Sequence, residues 1–179
     1  AERGIGDAQR RGARAGGADR VECGCNTGVH ELMEIQLLFN LPVPRGWRLL
    51  TVDEIKADEP GSCVAGPFGS SISSKYFVPQ GIPVIRGNNL RDDLTTFVPD
   101  GFVFVSEEQA KQYKSQHVRA GDLVFTCWGT LGQVGLIPED GQYKEYIISN
   151  KQLKLRPNRS IADSRFLFYY FACPQMVHH

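Results

Sequence analysis

The sequence predicts an α+β fold, a curved mixed β-sheet or partial barrel with a few short helices. Three observations predict it. Short β-branched and aromatic runs recur between Gly, Pro and Asn turn signals. Two Ser/Thr-x-x-Glu/Gln boxes, at Thr51 and Ser106, open brief helical stretches,. One aromatic-rich helix, capped by Asp163, closes the pattern before Pro174,. The 179 residues fit one domain, or one domain and a tail,. With 41% hydrophobic and 22% charged residues, disordered and collagen-like classes are excluded.

Residues 1–32 are rich in Gly, Ala and Arg without apolar period, as in Arg10-Arg11-Gly12-Ala13-Arg14. Such a segment buries too little to offset its ordering entropy, so we expect a disordered extension, with a native start near Met33. The alternative is a basic arm. Globular sequence begins at Leu41-Pro42 and Gly46-Trp47.

Thr51 to Ile55 then reads as a short helix. Ile82 to Arg86 reads as a strand whose Pro83 places it at an edge or near its own start. Phe102 to Val105 is a strand, and Ser106-Glu107-Glu108-Gln109 caps a helix running to about Tyr113. Leu123 to Cys127 and Gly132 to Ile137 form a hairpin or tight return around Trp128-Gly129-Thr130-Leu131. Tyr146 to Ile148 is a strand. Gln152 to Leu155 alternates like a half-buried one. The aromatics Phe166, Phe168, Tyr169 and Tyr170 are spaced for a helix buried on most sides.

Charge carries no hint of a partner: from Leu41 on, 15 basic residues face 14 acidic ones, whereas nonspecific DNA binders present a strongly basic face. Cys23, Cys25, Cys63, Cys127 and Cys173 lack the second ligand pair of a zinc site and read as buried free thiols. No run of about 18 apolar residues and no signal peptide appear, so the expected place is the cytoplasm, away from membrane.

Enzymatic engines are missing as well. There is no Gly-rich cofactor loop with an Asn/Asp-Pro-Pro-aromatic partner, no Gly-x-x-x-x-Gly-Lys-Ser/Thr loop and no Gly-x-Ser-x-Gly elbow. Pro99-Asp100 and Glu54-Ile55-Lys56 stand in the wrong order for a metal-dependent nuclease. His117 is the one candidate general base, and no Cys or Ser is visibly paired to it.

Several phrases, in order, resemble one family. Leu41-Pro42 to Gly46-Trp47, then Gly66-Pro67-Phe68-Gly69-Ser70 with Lys75-Tyr76, then Gly81-Ile82-Pro83-Val84-Ile85-Arg86 come first. Gly121-Asp122-Leu123-Val124 and Gly129-Thr130-Leu131-Gly132 follow. Together they are similar to the target recognition domains of type I restriction–modification specificity subunits. The resemblance implies a non-catalytic reader of double-stranded DNA over residues 41–173, serving methyltransferase (modification) and restriction subunits. Those partners would use S-adenosylmethionine, ATP and Mg; no cofactor is implied for this chain. A full subunit carries spacer helices and a second recognition domain, both absent here, so a second domain or a second copy would complete the target. The other reading is a non-catalytic protein-interaction or structural β domain.

Candidate DNA contacts follow from donor chemistry and from the resemblance. Ser70, Ser71 and Ser73 sit in a small-residue loop that can approach phosphates, with Lys75 adding charge and Tyr76 a stacking surface. The plain alternative is a loop packed on itself around Phe68. Arg86, Asn88 and Asn89 carry guanidinium and amide groups suited to guanine and adenine edges. Arg91 is a further candidate unless Asp92 or Asp93 pairs with it. Thr126, Trp128 and Thr130 lie on the Gly turn, where a Trp buried beneath the turn competes with an exposed wedge. Asn150 and Lys151 offer polar donors on what otherwise reads as a hairpin loop.

Overall fold

The computed structural model describes residues 43–67 and 71–177. The chain divides into two compact units, Ala1–Leu49 and Leu50–His179. In the first, the described residues make a tight turn: the Trp47 N–H donates to the Pro44 carbonyl at 3.0 Å, and Gly46 takes φ +87°, a conformation glycine adopts without steric cost. The readings of residues 1–32, Leu41 and Pro42 fall outside the described residues.

The second unit holds two sheets. Its strands are β1 (Cys63–Ala65), β2 (Phe77–Val78), β3 (Ile82–Ile85), β4 (Val103–Val105), β5 (His117–Val118), β6 (Leu123–Thr126), β7 (Val134–Leu136), β8 (Tyr146–Ile148) and β9 (Gln152–Leu155). One sheet is antiparallel in the order β1-β9-β6-β7; the other runs β2-β4-β3-β8-β5 and is mixed, because β3 and β8 are parallel. Short helices complete an α+β architecture: α1 (Val52–Ile55), α2 (Glu107–Ala110), α3 (Ser164–Ala172) and α4 (Pro174–Val177). Among the described residues no helix is long and apolar enough to cross a membrane.

Three apolar clusters hold the unit together. The central one joins Ile85, Tyr146 and Ile148 of the mixed sheet to Val124 of the antiparallel sheet, with Leu90, Phe97, Val118 and Ile137. Leu167 and Phe168 of α3 cover Leu123, Leu136 and Leu155 on the other face of the antiparallel sheet. Ile72 and Ala110 meet Val84, Val105 and Ile147. The interior strands β6 and β8 are therefore buried on both faces. That accounts for continuous apolar runs where a one-sided sheet would alternate.

Local chemistry sets the helix starts. The Glu54 N–H donates to Thr51 Oγ1 at 3.3 Å and the Thr51 N–H to Glu54 Oε2 at 2.7 Å, a reciprocal capping box. Ser106 caps α2 and Asp163 caps α3 through Gln109 N–H and Phe166 N–H. The expected helix to Tyr113 is shorter: α2 ends at Ala110 and passes into a 3-10 turn, Lys111–Gln116, kinked at Tyr113. Pro83 sits near the start of β3, as one reading had it. That strand is interior, but its pairing with β8 begins only at Val84, so the missing N–H costs no ladder bond.

Four expectations are corrected. Helix α3 packs against one sheet only, so Leu167 and Phe168 are buried while Phe166, Tyr169 and Tyr170 are exposed. Cys63 lies exposed on edge strand β1, and Cys127 and Cys173 are half-buried, so the described thiols are not core residues. The Ser149-to-Gln152 connection is no hairpin loop, because β8 and β9 belong to different sheets. Finally, β9 departs from the expected alternation: Gln152 and Lys154 are buried along with Leu155, and Leu153 alone is exposed. Lys154 is accommodated because Nζ donates to the Ser115 and His117 carbonyls at 2.6 and 2.9 Å.

Candidate nucleic-acid interface

A cleft of about 540 Å³ opens between the sheets, and eight residues singled out in the sequence line it: Arg86, Asn88, Arg91, Thr126, Trp128, Thr130, Asn150 and Lys151. They come from three segments. The first follows β3, the second is the tip of the β6–β7 hairpin, and the third is the crossover from β8 to β9. The Cys127 N–H donates to the Lys151 carbonyl at 2.8 Å, which ties the second segment to the third.

In the first segment Asn89 is the structural member. It is fully buried; its Oδ1 accepts from the Arg86 N–H at 2.9 Å, and its Nδ2 donates to the Val98 and Asp100 carbonyls at 3.0 and 2.8 Å. Its reading as a DNA contact is withdrawn, since every polar atom of the side chain is used in holding the turn. The turn presents Arg86 and Asn88 instead. Arg86 Nη2 and Asn88 Nδ2 both donate to the Gly101 carbonyl, at 3.1 and 3.3 Å. Arg91 forms no ion pair with Asp92 or Asp93; the Asp93 pKa is held below the usual range chiefly by the Thr95 side chain and then by the Thr95 N–H at 3.0 Å, with a smaller pull from the Arg91 charge.

Trp128 is 72% exposed, contrary to the buried indole weighed above. Gly129 at φ +96° and Gly132 at φ +87° turn the hairpin tip away from the core and carry Leu131 out with it. Thr126 is buried and donates to Gln133 Oε1 at 3.2 Å, and Gln133 Nε2 donates to the Leu90 carbonyl at 3.3 Å. Gln133 and Gln152 also line the cleft. Sequence reasoning missed both, because each stands in a strand-like run where it reads as an outward-facing polar residue.

Ser71, Ser73, Lys75 and Tyr76 are not in the lining. Lys75 Nζ rests 4.7 Å from the centre of the Tyr76 ring, on the 3-10 turn Ser74–Tyr76. Ser70 and Phe68 fall outside the described residues. Gly66 has a packing role: a Cβ there would lie 1.8 Å from the Ser149 carbonyl oxygen, so only glycine lets this backbone press against the crossover.

The cleft's charge is one-sided. Arg86, Arg91 and Lys151 line it without a single Asp or Glu, and none of the three forms an ion pair among the described residues. Other arginines are neutralised elsewhere. Arg156 bonds the buried Asp122 through Nε and Nη2 at 2.8 and 2.7 Å and Glu59 through Nη1 at 2.7 Å, and Arg119 reaches Glu59 at 3.0 Å. Hydrogen bonding to Arg156 lowers the Glu59 pKa. Zero net charge thus coexists with a cationic cleft. His117, the candidate base, has Nδ1 3.0 Å from Glu145 Oε2 and Nε2 3.0 Å from the Ala110 carbonyl, so both nitrogens are engaged in holding β5.

No protein-family model matches the sequence, and no curated relative does. Solved structures do match. The HsdS subunit from Thermoanaerobacter tengcongensis superimposes with TM-score 0.51 and 19% identity over 79% of this chain. This chain shares the fold of the matched part of HsdS. A second match, from a structure of the complex assembly and conformational transition of the type I R-M system, gives TM-score 0.52 and 16% identity over 80% of this chain. The HsdS resemblance carried by the sequence motifs thus holds at the level of fold. The chain spans about a third of both solved chains, 32% and 34%.

Proposed function

We propose that the chain reads duplex DNA as a target recognition domain of a type I restriction–modification specificity subunit. It contributes half of a bipartite target and has no catalytic role of its own. The observation that carries this reading is the cleft in which three cations, exposed Trp128 and several amides and hydroxyls converge without a carboxylate. Guanidinium and ammonium groups hold phosphates and set register, and amide and guanidinium edges discriminate bases. Methyl transfer from S-adenosylmethionine and ATP- and Mg-dependent cleavage fall to the modification and restriction subunits, in the cytoplasm. A second recognition domain or a second copy supplies the other half-site.

Exchanging residues 50–173 for the equivalent domain of another specificity subunit, then mapping methylated sites across a genome, tests the proposal. One half of the methylated motif should change and the other persist; an unchanged motif refutes it. The exposed face of α3, where Phe166 and Tyr170 stack with centroids 6.2 Å apart, favours an additional protein contact. That contact complements DNA reading.

A further inference from the structure

Strand β9 buries the polar side of its own sequence. Gln152 and Lys154 stand opposite Thr126 and Val124 of β6 and so share their face. Lys154 is satisfied there by two carbonyls. Gln152 is only half satisfied: it is 1% exposed, its Oε1 accepts from the Ser149 hydroxyl, and its Nε2 is buried without a partner. Native proteins leave few buried donors in this state, because each forfeits its bond to water and gains nothing in return. Among the described residues three side-chain atoms are so placed, Gln152 Nε2, Arg86 Nε and Ser164 Oγ. Two of the three belong to residues that line the cleft.

Resting on the DNA-reading proposal above, we infer that Gln152 is a specificity-determining residue whose amide N–H, beside Arg86, reads an acceptor-presenting base edge, guanine O6 and N7. Both groups are donors. Reading adenine takes an amide that donates to N7 and accepts from N6, and the Gln152 oxygen is already held by Ser149. The neighbouring Thr126 and Gln133 satisfy one another, which leaves the unspent donors to an incoming ligand.

The full chain, selected against a random-sequence duplex library and sequenced, provides the test. Wild type should enrich a motif with one guanine that Gln152→Leu relaxes by roughly tenfold. The Leu variant should melt within a few degrees of wild type, since removing the unpaired donor offsets the Ser149 hydroxyl it leaves without an acceptor,. Gln152→Glu, an acceptor alone, should shift that position towards cytosine. Should the Leu variant fail to fold, Ser149→Ala takes its place: it frees Oε1, and adenine becomes acceptable beside guanine. Variants that fold and return the wild-type motif unchanged overturn the inference while leaving DNA reading intact. If wild type enriches no motif, DNA reading itself fails and the inference falls with it.

Discussion

Trp128 separates affinity from stability. Its indole lies outside the core, so Trp128→Ala should leave the melting temperature within about a degree while weakening DNA binding by about 1–2 kcal/mol, the scale of truncating an interface aromatic. Titration calorimetry alongside thermal melts checks both halves of that statement. Lys154 gives the opposite case, a buried group with a stability signature. Burial, with the Arg156 charge beside it, lowers its pKa from 10.5 to about 8. Below pH 8 both folded and unfolded chains hold the proton. Between 8 and 10.5 the unfolded chain holds a proton that the folded one has lost, so stability rises with pH through that window. The rise is at most about 3 kcal/mol, and Lys154→Met should flatten it in urea titrations at pH 7.5 and 10. Towards the upper end it is opposed by Tyr146, whose pKa burial raises. At this scale the sequence was legible where a side chain's chemistry acts locally, as in the caps at Thr51, Ser106 and Asp163. It was illegible for Trp128, Asn89 and Gln152, whose exposure depends on which strand pairs with which.

Helix starts, hairpin and strand runs could be read from short-range patterns, because turns and caps are built within a few residues. The division into two sheets could not. Ser149 to Gln152 has the composition of a hairpin loop, and only the long-range pairings of β8 with β3 and of β9 with β6 make it a crossover. Glycine has an element-scale role at the same place. Gly66→Ala must displace the Ser149 carbonyl, and we expect a loss of about 1–3 kcal/mol together with weakened DNA binding, measured by chemical denaturation and gel shift. The Gly-Asp-Leu phrase has a structural reading too: Asp122 anchors Arg156 and its own turn, with the Arg119 N–H at 3.0 Å. Asp122→Ala leaves a largely buried guanidinium half-paired, and a loss of roughly 3 kcal/mol is expected from denaturation, with the cleft residues untouched.

At the scale of the molecule, zero net charge concealed a cationic cleft, because composition sums charges that the fold separates. Three cleft cations without an ion pair among the described residues predict a modest salt dependence: log Kd against log salt should have a slope of about 2 to 3, falling by about 1 in Lys151→Ala. A flat plot would exclude phosphate contact through this cleft. The crossover from β8 to β9 has one more consequence. It joins an interior strand of one sheet to an interior strand of the other, and it forms part of the surface that a ligand would cover. A ligand seated there clasps two layers at once, so amide exchange at Ile147, Ile148, Leu153 and Leu155 should slow together on binding, and the domain should answer an occupant as a single hinge held shut.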